Sequence, residues 1–265
     1  MDFLGSGSYG SVKVLSPKGL DKITALKTVE LKDQNNAMSS FREHTVAMRV
    51  EHKNIVKTFW TRWTPTEFQS CMELGAPVTH GTCEPHKVLC DILSGLAWLH
   101  KCGYMHRDVK PENIIRVGEI YKLIDFGLAR EMGGPLTEQT GYMASRWFRP
   151  IELLQDETDR FYDGRIDVWS LGCTVFFLQY GRYLYQGTKQ EMLEQMQVPS
   201  IYLPHMITAY DQRDSAERAL HRLGLGLVEG VFKRAPYTQS KLTKCLTEGY
   251  FSEDYTPEIM QSFNI

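Results

Sequence analysis

The first seventy-five or so positions carry apolar residues in short alternating runs, the pattern of strands with one face buried. Thr24 to Leu31 is the clearest run, with Ala25, Lys27 and Val29 on one face. Ser39 to Val50 has helical spacing and opens on serines suited to an N-cap, so it predicts the one helix of this part. From about Pro85 the period changes. Leu89, Ile92, Leu93, Leu96 and Leu99 follow one helical face. Ile114 to Val117 and Ile120 to Ile124 flank Gly118-Glu119 and predict a small hairpin. Val168 to Leu178 is apolar nearly all round, which predicts a helix buried on every side, and Tyr237 to Tyr250 predicts one more helix. With no internal repeat and no low-complexity linker, the chain reads as one α+β domain over residues 1–265. A small β-rich lobe with one helix spans 1–74, a larger and mainly helical lobe spans 75–265, and the hinge falls near Glu73 to Ala76.

Composition narrows the function class. A chain of 265 residues with 42% hydrophobic and 23% charged residues can bury a sizeable core. Its net charge of −2 gives no electrostatic case for binding nucleic acid or an anionic membrane. The six cysteines show no C-x-x-C pair and no zinc-like spacing, which suits reduced thiols inside a cell. The longest apolar stretch, around Cys173 to Leu178, is too short to cross a bilayer, and Met1-Asp2-Phe3-Leu4-Gly5 runs straight into a motif without a signal peptide. The expectation is a protein of the nucleus or cytoplasm, or both.

That first motif is Leu4-Gly5-Ser6-Gly7-Ser8-Tyr9-Gly10-Ser11-Val12, a G-x-G-x-x-G-x-V loop. Glycines let backbone amides close over phosphate oxygens without a Cβ in the way. A dinucleotide-binding turn uses nearly the same letters but opens a helix. Here Val12-Lys13-Val14 continues as a strand and Pro17-Lys18-Gly19 supplies a turn, which favours a hairpin. A glycine-rich turn without a ligand is the plainer alternative. Lys27 lies on the apolar face of its strand, where an ammonium needs an anion. Glu43 on the following helix is a candidate for that anion, leaving other lysine donors for phosphates. Equally, Ser40-Phe41-Arg42-Glu43 fits a capping box, which would give Glu43 a purely local role.

Tyr104-Met105-His106-Arg107-Asp108-Val109-Lys110-Pro111-Glu112-Asn113 follows, and then Asp125-Phe126-Gly127. With these the chain resembles the eukaryotic protein kinases, whose ordered signature is a glycine loop, A-L-K, a helix Glu, H-R-D-x-K-P-E-N and D-F-G. The resemblance implies the bilobal kinase fold, ATP and Mg²⁺ as cofactors, and protein substrates. It implies that residues 4 to 12, Ala25, Lys27 and Glu43 serve ATP, and that the backbone of Glu73 and Gly75 meets adenine beside a gatekeeper, Met72. Asp108 would accept the substrate hydroxyl's proton, Lys110 would offset charge on the phosphoryl group, and Asn113 and Asp125 would hold Mg²⁺. Lysine two residues after Asp108 is similar to the serine/threonine-specific pattern. Asp167 resembles a buttress of the catalytic loop, and Glu152 with Arg234 resembles the buried ion pair of the larger lobe.

Trp147-Phe148-Arg149 is similar to the branch of cyclin-dependent and mitogen-activated kinases, which implies serine or threonine followed by proline as the target. Ser39-Ser40-Phe41-Arg42-Glu43 resembles the cyclin-contacting helix, though it departs from that motif at most positions, and Ser8-Tyr9 matches an inhibitory phosphosite pair. A cyclin-like activating subunit and an upstream activating kinase are the implied partners. Arg42, Arg107 and Arg130 fall where that family converges on a phosphothreonine, here Thr140. Thr140-Gly141-Tyr142 alternatively resembles the doubly phosphorylated motif of mitogen-activated kinases. The chain departs from the family where Pro150-Ile151-Glu152 replaces Ala-Pro-Glu and where Thr79 to Pro85 leaves little room for a helix after the hinge. A catalytically silent scaffold is a third reading, but it would ordinarily lose Lys27, Asp108 or Asp125.

Overall fold

The computed structural model describes residues 3–7, 10–15, 23–132, 146–154 and 164–197, with the backbone alone at 3–7 and 151–152. Five antiparallel strands come first: β1 (Phe3–Gly7), β2 (Gly10–Leu15), β3 (Thr24–Glu30), β4 (Thr58–Trp63) and β5 (Glu67–Glu73), in the order β1-β2-β3-β5-β4. The helix α1 (Gln34–Arg49) lies between β3 and β4 in sequence. The expected strand over Thr24 to Leu31 forms with Ala25 and Val29 buried, and the strand after the glycine loop forms as β2.

The helix starts earlier than its serines suggest. Asp33 is the N-cap, its carboxylate accepting from the Asn36 N–H at 2.8 Å, so the helix gains a full turn before Ser39. Ser39 and Ser40 sit buried in the second turn, which removes Ser40 as a cap and with it the capping-box role for Glu43.

The crossing to the second lobe runs through β6 (Ala76–Pro77) and a turn, with no helix between it and α2 (Pro85–Lys101). Proline at the first position of α2 costs no hydrogen bond there. Leu89, Ile92, Leu93, Leu96 and Leu99 all face the core, as their spacing predicts. Each fully buried leucine or isoleucine contributes about 1.5–3 kcal/mol. Next come β7 (Tyr104–Met105), β8 (Ile114–Val117), β9 (Ile120–Leu123) and β10 (Arg130–Glu131). β8 and β9 form the predicted hairpin, with Gly118 at φ 58 in its turn, and β6 pairs with β8. β7 pairs with β10.

α4 (Arg165–Tyr180) packs on α2, after the short α3 (Ile151–Leu154) and before α5 (Lys189–Gln197). Ten residues of α4 are buried, so the apolar-all-round pattern is met, and Gly181 at φ 68 ends the helix. A second apolar cluster gathers Phe148, Leu154, Cys173, Tyr185, Met192 and Met196. It anchors the Trp147-Phe148-Arg149 segment. Trp147 stacks on Tyr183 at 5.5 Å, and the Ser170 hydroxyl donates to the Phe148 carbonyl at 2.9 Å. The helix expected at Tyr237 to Tyr250 lies outside the described residues, as do Pro17-Lys18-Gly19 and Arg234. The fold is thus α+β and bilobal: an antiparallel sheet with one helix, joined to a mainly helical body.

Candidate active site

Two lysines in buried strands organise the junction between the lobes. Lys27 on β3 is 9% exposed and meets Glu43 of α1 at 2.6 Å and Asp125 at 2.9 Å. Burial works against its charge, but Asp125 and Glu43 outweigh that and hold the ammonium well above the usual lysine range. Asp125 is affected in the opposite sense. Burial would lift it, yet the Lys27 charge and hydrogen bond bring its carboxyl below the usual carboxylate range. Of the two local alternatives for Glu43, the structure selects the lysine partner.

Asp108 lies in the loop after β7. Its carboxylate accepts from Asn113 Nδ2 at 2.8 Å and sits 2.7 Å from the Lys110 ammonium. Burial raises its pKa, with Lys110 opposing. Asn113 Nδ2 also donates to the Asp108 carbonyl at 2.8 Å, so the loop is closed on itself. The Ile124 N–H donates to the Asn113 carbonyl at 3.0 Å, which links that loop to the backbone immediately before Asp125. Lys27, Glu43 and Asp125 therefore form one cluster and Asp108, Lys110 and Asn113 another, joined through the Ile124–Asn113 backbone hydrogen bond.

The loop is braced from below by Asp167 of α4. One of its oxygens accepts from the Arg107 N–H at 2.7 Å, and the other accepts from the His106 N–H at 2.8 Å and meets His100 Nε2 at 2.9 Å. Burial alone would raise the Asp167 carboxyl, but these donors, His100 first, hold it down. The buttress read from sequence is thus present. His106 is a brace that sequence reading passed over. The Asp108 N–H donates to its Nδ1 at 3.2 Å, so the ring proton resides on Nε2, which donates to the Ile124 carbonyl at 2.9 Å. Its ring edge also meets Phe126 at 5.1 Å. Arg107 (φ 70) and Asp125 (φ 61) both occupy the left-handed region, so the backbone is strained where the two loops meet.

The glycine loop is the turn between β1 and β2, with Gly7 opposite Gly10. Gly10 has φ 139, and a Cβ there would fall on the Thr28 carbonyl, so only glycine serves. Ser11 and Val12 pair with Thr28 and Lys27. The side chains of Leu4, Gly5, Ser6 and Gly7 are not described, and Ser8 and Tyr9 lie outside the described residues. Ala25 is buried opposite Met72, and Met72 lines a cavity with Glu43, Val46 and Phe126.

At the crossing, the Glu73 N–H is taken by the Lys57 carbonyl at 3.0 Å, so that donor is not offered to a base. Gly75 packs so closely that a Cβ would lie 2.8 Å from the Arg116 carbonyl. The Glu73 carboxylate accepts from Lys122 of β9 at 2.7 Å and from the Lys57 N–H at 2.9 Å. This pair was missed, although Lys122 between Tyr121 and Leu123 carries the same signal as Lys27, a lysine in a buried strand.

Of the three arginines expected around a phosphothreonine, Arg130 pairs across the β7–β10 ribbon with Met105, and Arg107 follows two positions later on the same chain. Arg42 donates to the Gly127 carbonyl at 3.4 Å. Thr140 and Tyr142 lie outside the described residues, as does the side chain of Glu152. Among the described residues no group of three or more His, Cys, Asp or Glu forms a metal centre, and no helix is long and apolar enough to cross a membrane. The five described cysteines are free thiols.

Comparison with known proteins agrees with this geometry. The chain is 29% identical over 204 residues to cell division control protein 2 homolog 3 of Trypanosoma brucei brucei, covering 72% of this chain and 65% of that protein. It is 27% identical over 297 residues to human cyclin-dependent kinase 10, covering 98% of this chain and 82% of that one. It is 29% identical over 203 residues to the rat cyclin-dependent kinase-like 2, covering 71% of this chain and 39% of that one. The chain thus spans from under half to about four-fifths of the length of these relatives. The family model described as the protein kinase domain matches residues 1–251, and on that match the chain belongs to the protein kinase family, with cyclin-dependent and cyclin-dependent-like kinases among its relatives.

Proposed function

We propose that this chain transfers the γ-phosphate of ATP to serine or threonine hydroxyls of protein substrates, as a proline-directed kinase of the cyclin-dependent type in the nucleus or cytoplasm. Its role would be control of cell division or transcription. The observation that supports this reading is the Lys27–Glu43–Asp125 cluster joined through the Ile124–Asn113 backbone hydrogen bond to the loop holding Asp108, Lys110 and Asn113.

The residues fit the chemistry. Asp108, buried and hydrogen-bonded by Asn113, is held to accept a hydroxyl proton and orient its oxygen, while Lys110 offsets charge on the phosphoryl group. Asn113 spends its amide N–H groups on Asp108, leaving its side-chain carbonyl oxygen as the donor it would offer a cation. That oxygen and the Asp125 carboxylate are hard donors of the kind Mg²⁺ takes, with phosphate and water completing its shell. When bound there, Mg²⁺ would supply charge neutralisation at the β- and γ-phosphates. Lys27 would turn its remaining donor to the α- and β-phosphates, and the β1–β2 turn would cover them.

An activating subunit of cyclin type is supported by the outer face of α1. Met38, Phe41 and Met48 are 44%, 57% and 71% exposed and lie on one stripe of the helix. Control by phosphate on Thr140, clamped by Arg42, Arg107 and Arg130, belongs to the same proposal. The mitogen-activated reading rests on Thr140-Gly141-Tyr142 alone, and it requires phosphate on both hydroxyls for activity.

The test is transfer of labelled phosphate from Mg-ATP to a Ser-Pro or Thr-Pro peptide. Asp108→Asn should lower the rate by about 10²-fold or more with ATP binding retained. Equal rates for variant and wild type would sink the reading. In the same assay Thr140→Ala should lose most activity, and an unchanged rate removes the clamp.

A further inference from the structure

The far end of α1 is fastened to the segment that follows Asp125. Arg49, in the last turn, donates to the Tyr104 hydroxyl at 2.7 Å. That hydroxyl donates to Glu131 Oε1 at 3.2 Å, and Arg49 itself reaches the same oxygen at 3.3 Å. Tyr104 and Glu131 face each other across the β7–β10 ribbon, which the Met132 N–H closes by donating to the Gly103 carbonyl at 2.7 Å. The Tyr104 ring is 6% exposed and packed in the main core, so its hydroxyl is an immobile post. The Arg49 and Glu131 side chains are 62% and 66% exposed.

An Arg–Glu pair that open to solvent contributes little to global stability. A last-turn arginine complements the helix dipole wherever it points, which does not explain its aim at a buried tyrosine. What distinguishes the arrangement is its reach: one partner belongs to α1, one to the fixed body, and one to the stretch leaving Asp125. Glu43 is about 9 Å from Arg49 along the same rigid rod. A misplacement of about an ångström is enough to cost a site much of its rate, so whatever holds the last turn bears on where Glu43 sits.

We propose that Arg49, Tyr104 and Glu131 are positioning residues that hold α1 at the angle where Glu43 meets Lys27, and that they do so only while β10 is paired with β7. The triad thereby reports the state of the post-Asp125 segment to the nucleotide site. This deepens the phosphotransfer reading and rests on it.

Tyr104→Phe removes the hydroxyl and keeps the ring. It should leave Tm nearly unchanged, raise KM for Mg-ATP about fivefold, and leave KM for the peptide alone. Arg49→Glu and Glu131→Arg should each do the same, and the double exchange should return KM to within about twofold of wild type. Amide hydrogen exchange over 43–49 should quicken in the single variants and recover in the exchange pair. Unchanged exchange in Tyr104→Phe overturns the triad whatever the activity, as does a double exchange no better than its parents. A wild type without phosphotransfer, but with exchange that follows the triad, overturns the function while leaving the positioning role intact.

Discussion

Lys27 and Lys122 share a physical situation and differ in what they fasten. Each is an ammonium in a buried strand that meets a carboxylate within 2.7 Å. The raised pKa of Lys27 means its charge contributes fully below the ordinary lysine value of 10.5 and fails only as pH climbs through the higher folded value. The pair with Glu43 therefore holds throughout the physiological range. His52 behaves in the other sense. It stacks on Trp98 at 5.9 Å, its Nδ1 accepts from the Asn54 N–H at 3.2 Å, and burial with Lys53 nearby pushes its pKa from 6.5 down to about 4. Its contribution is present above 6.5 and is lost as pH falls toward 4. Solvent reaches the half-buried ring and softens the effect. The Tm of wild type should drop between pH 7 and pH 5 by about 2–4 °C more than that of His52→Gln. Equal drops would remove His52 from the account. Lys27, Asp108, Asn113 and Asp125 were legible from type and spacing, because a loop with local motifs carries its chemistry in sequence order. The braces around them were not: His106 stands inside the same motif with nothing in its spacing to mark its role, while Lys122 meets Glu73, and Tyr104 meets Arg49 and Glu131, only in the folded chain, leaving a buried polar residue as the trace.

Helix α1 links the two halves of the site. Its start was misread because serines that suit a cap also suit a close approach: Ser39 lies against Gly127, where a Cβ would fall on the serine oxygen. Asp33 caps the helix instead, and the signal for it was an aspartate ahead of a polar first turn. The contact makes a prediction. Gly127→Ala should press α1 away from Asp125 and cut kcat/KM about tenfold or more, while Ser39→Ala alone is nearly neutral. The double variant should regain part of the loss, since Ser39 Cβ is 3.6 Å away while the Asp125 carboxylate, 3.3 Å away, must still give a little. A double variant as poor as Gly127→Ala would show that helix displacement is not the cause. The strand over Thr24 to Leu31, the Ile114 to Ile124 hairpin and the apolar face of α2 were legible, because alternation and a five-residue leucine-rich face leave little choice of register, whereas β4, β5, β7 and β10 carried no such clear run.

Across the whole molecule, the bilobal class was legible from the change of period alone. The outward stripe of α1 was not, since Met38, Phe41 and Met48 look like core positions until the helix is seated. Replacing Phe41 and Met48 by aspartate should abolish co-purification with a cyclin-fold partner while leaving Tm within about 2 °C, because neither side chain is buried. Retained partner binding would move the interface elsewhere. A last consequence lies in the Glu73 carboxylate, shared between Lys122 of the helical body and the Lys57 N–H of the sheet lobe. Beside it the Val56 N–H donates to the Leu123 carbonyl, and the Leu123 N–H to the Asn54 carbonyl, both at 2.9 Å. The chain crossing and these inter-lobe hydrogen bonds thus lie side by side. A tie set so near the crossing keeps the sheet lobe in register with the helical body there, the way a dowel holds two planks at their joint.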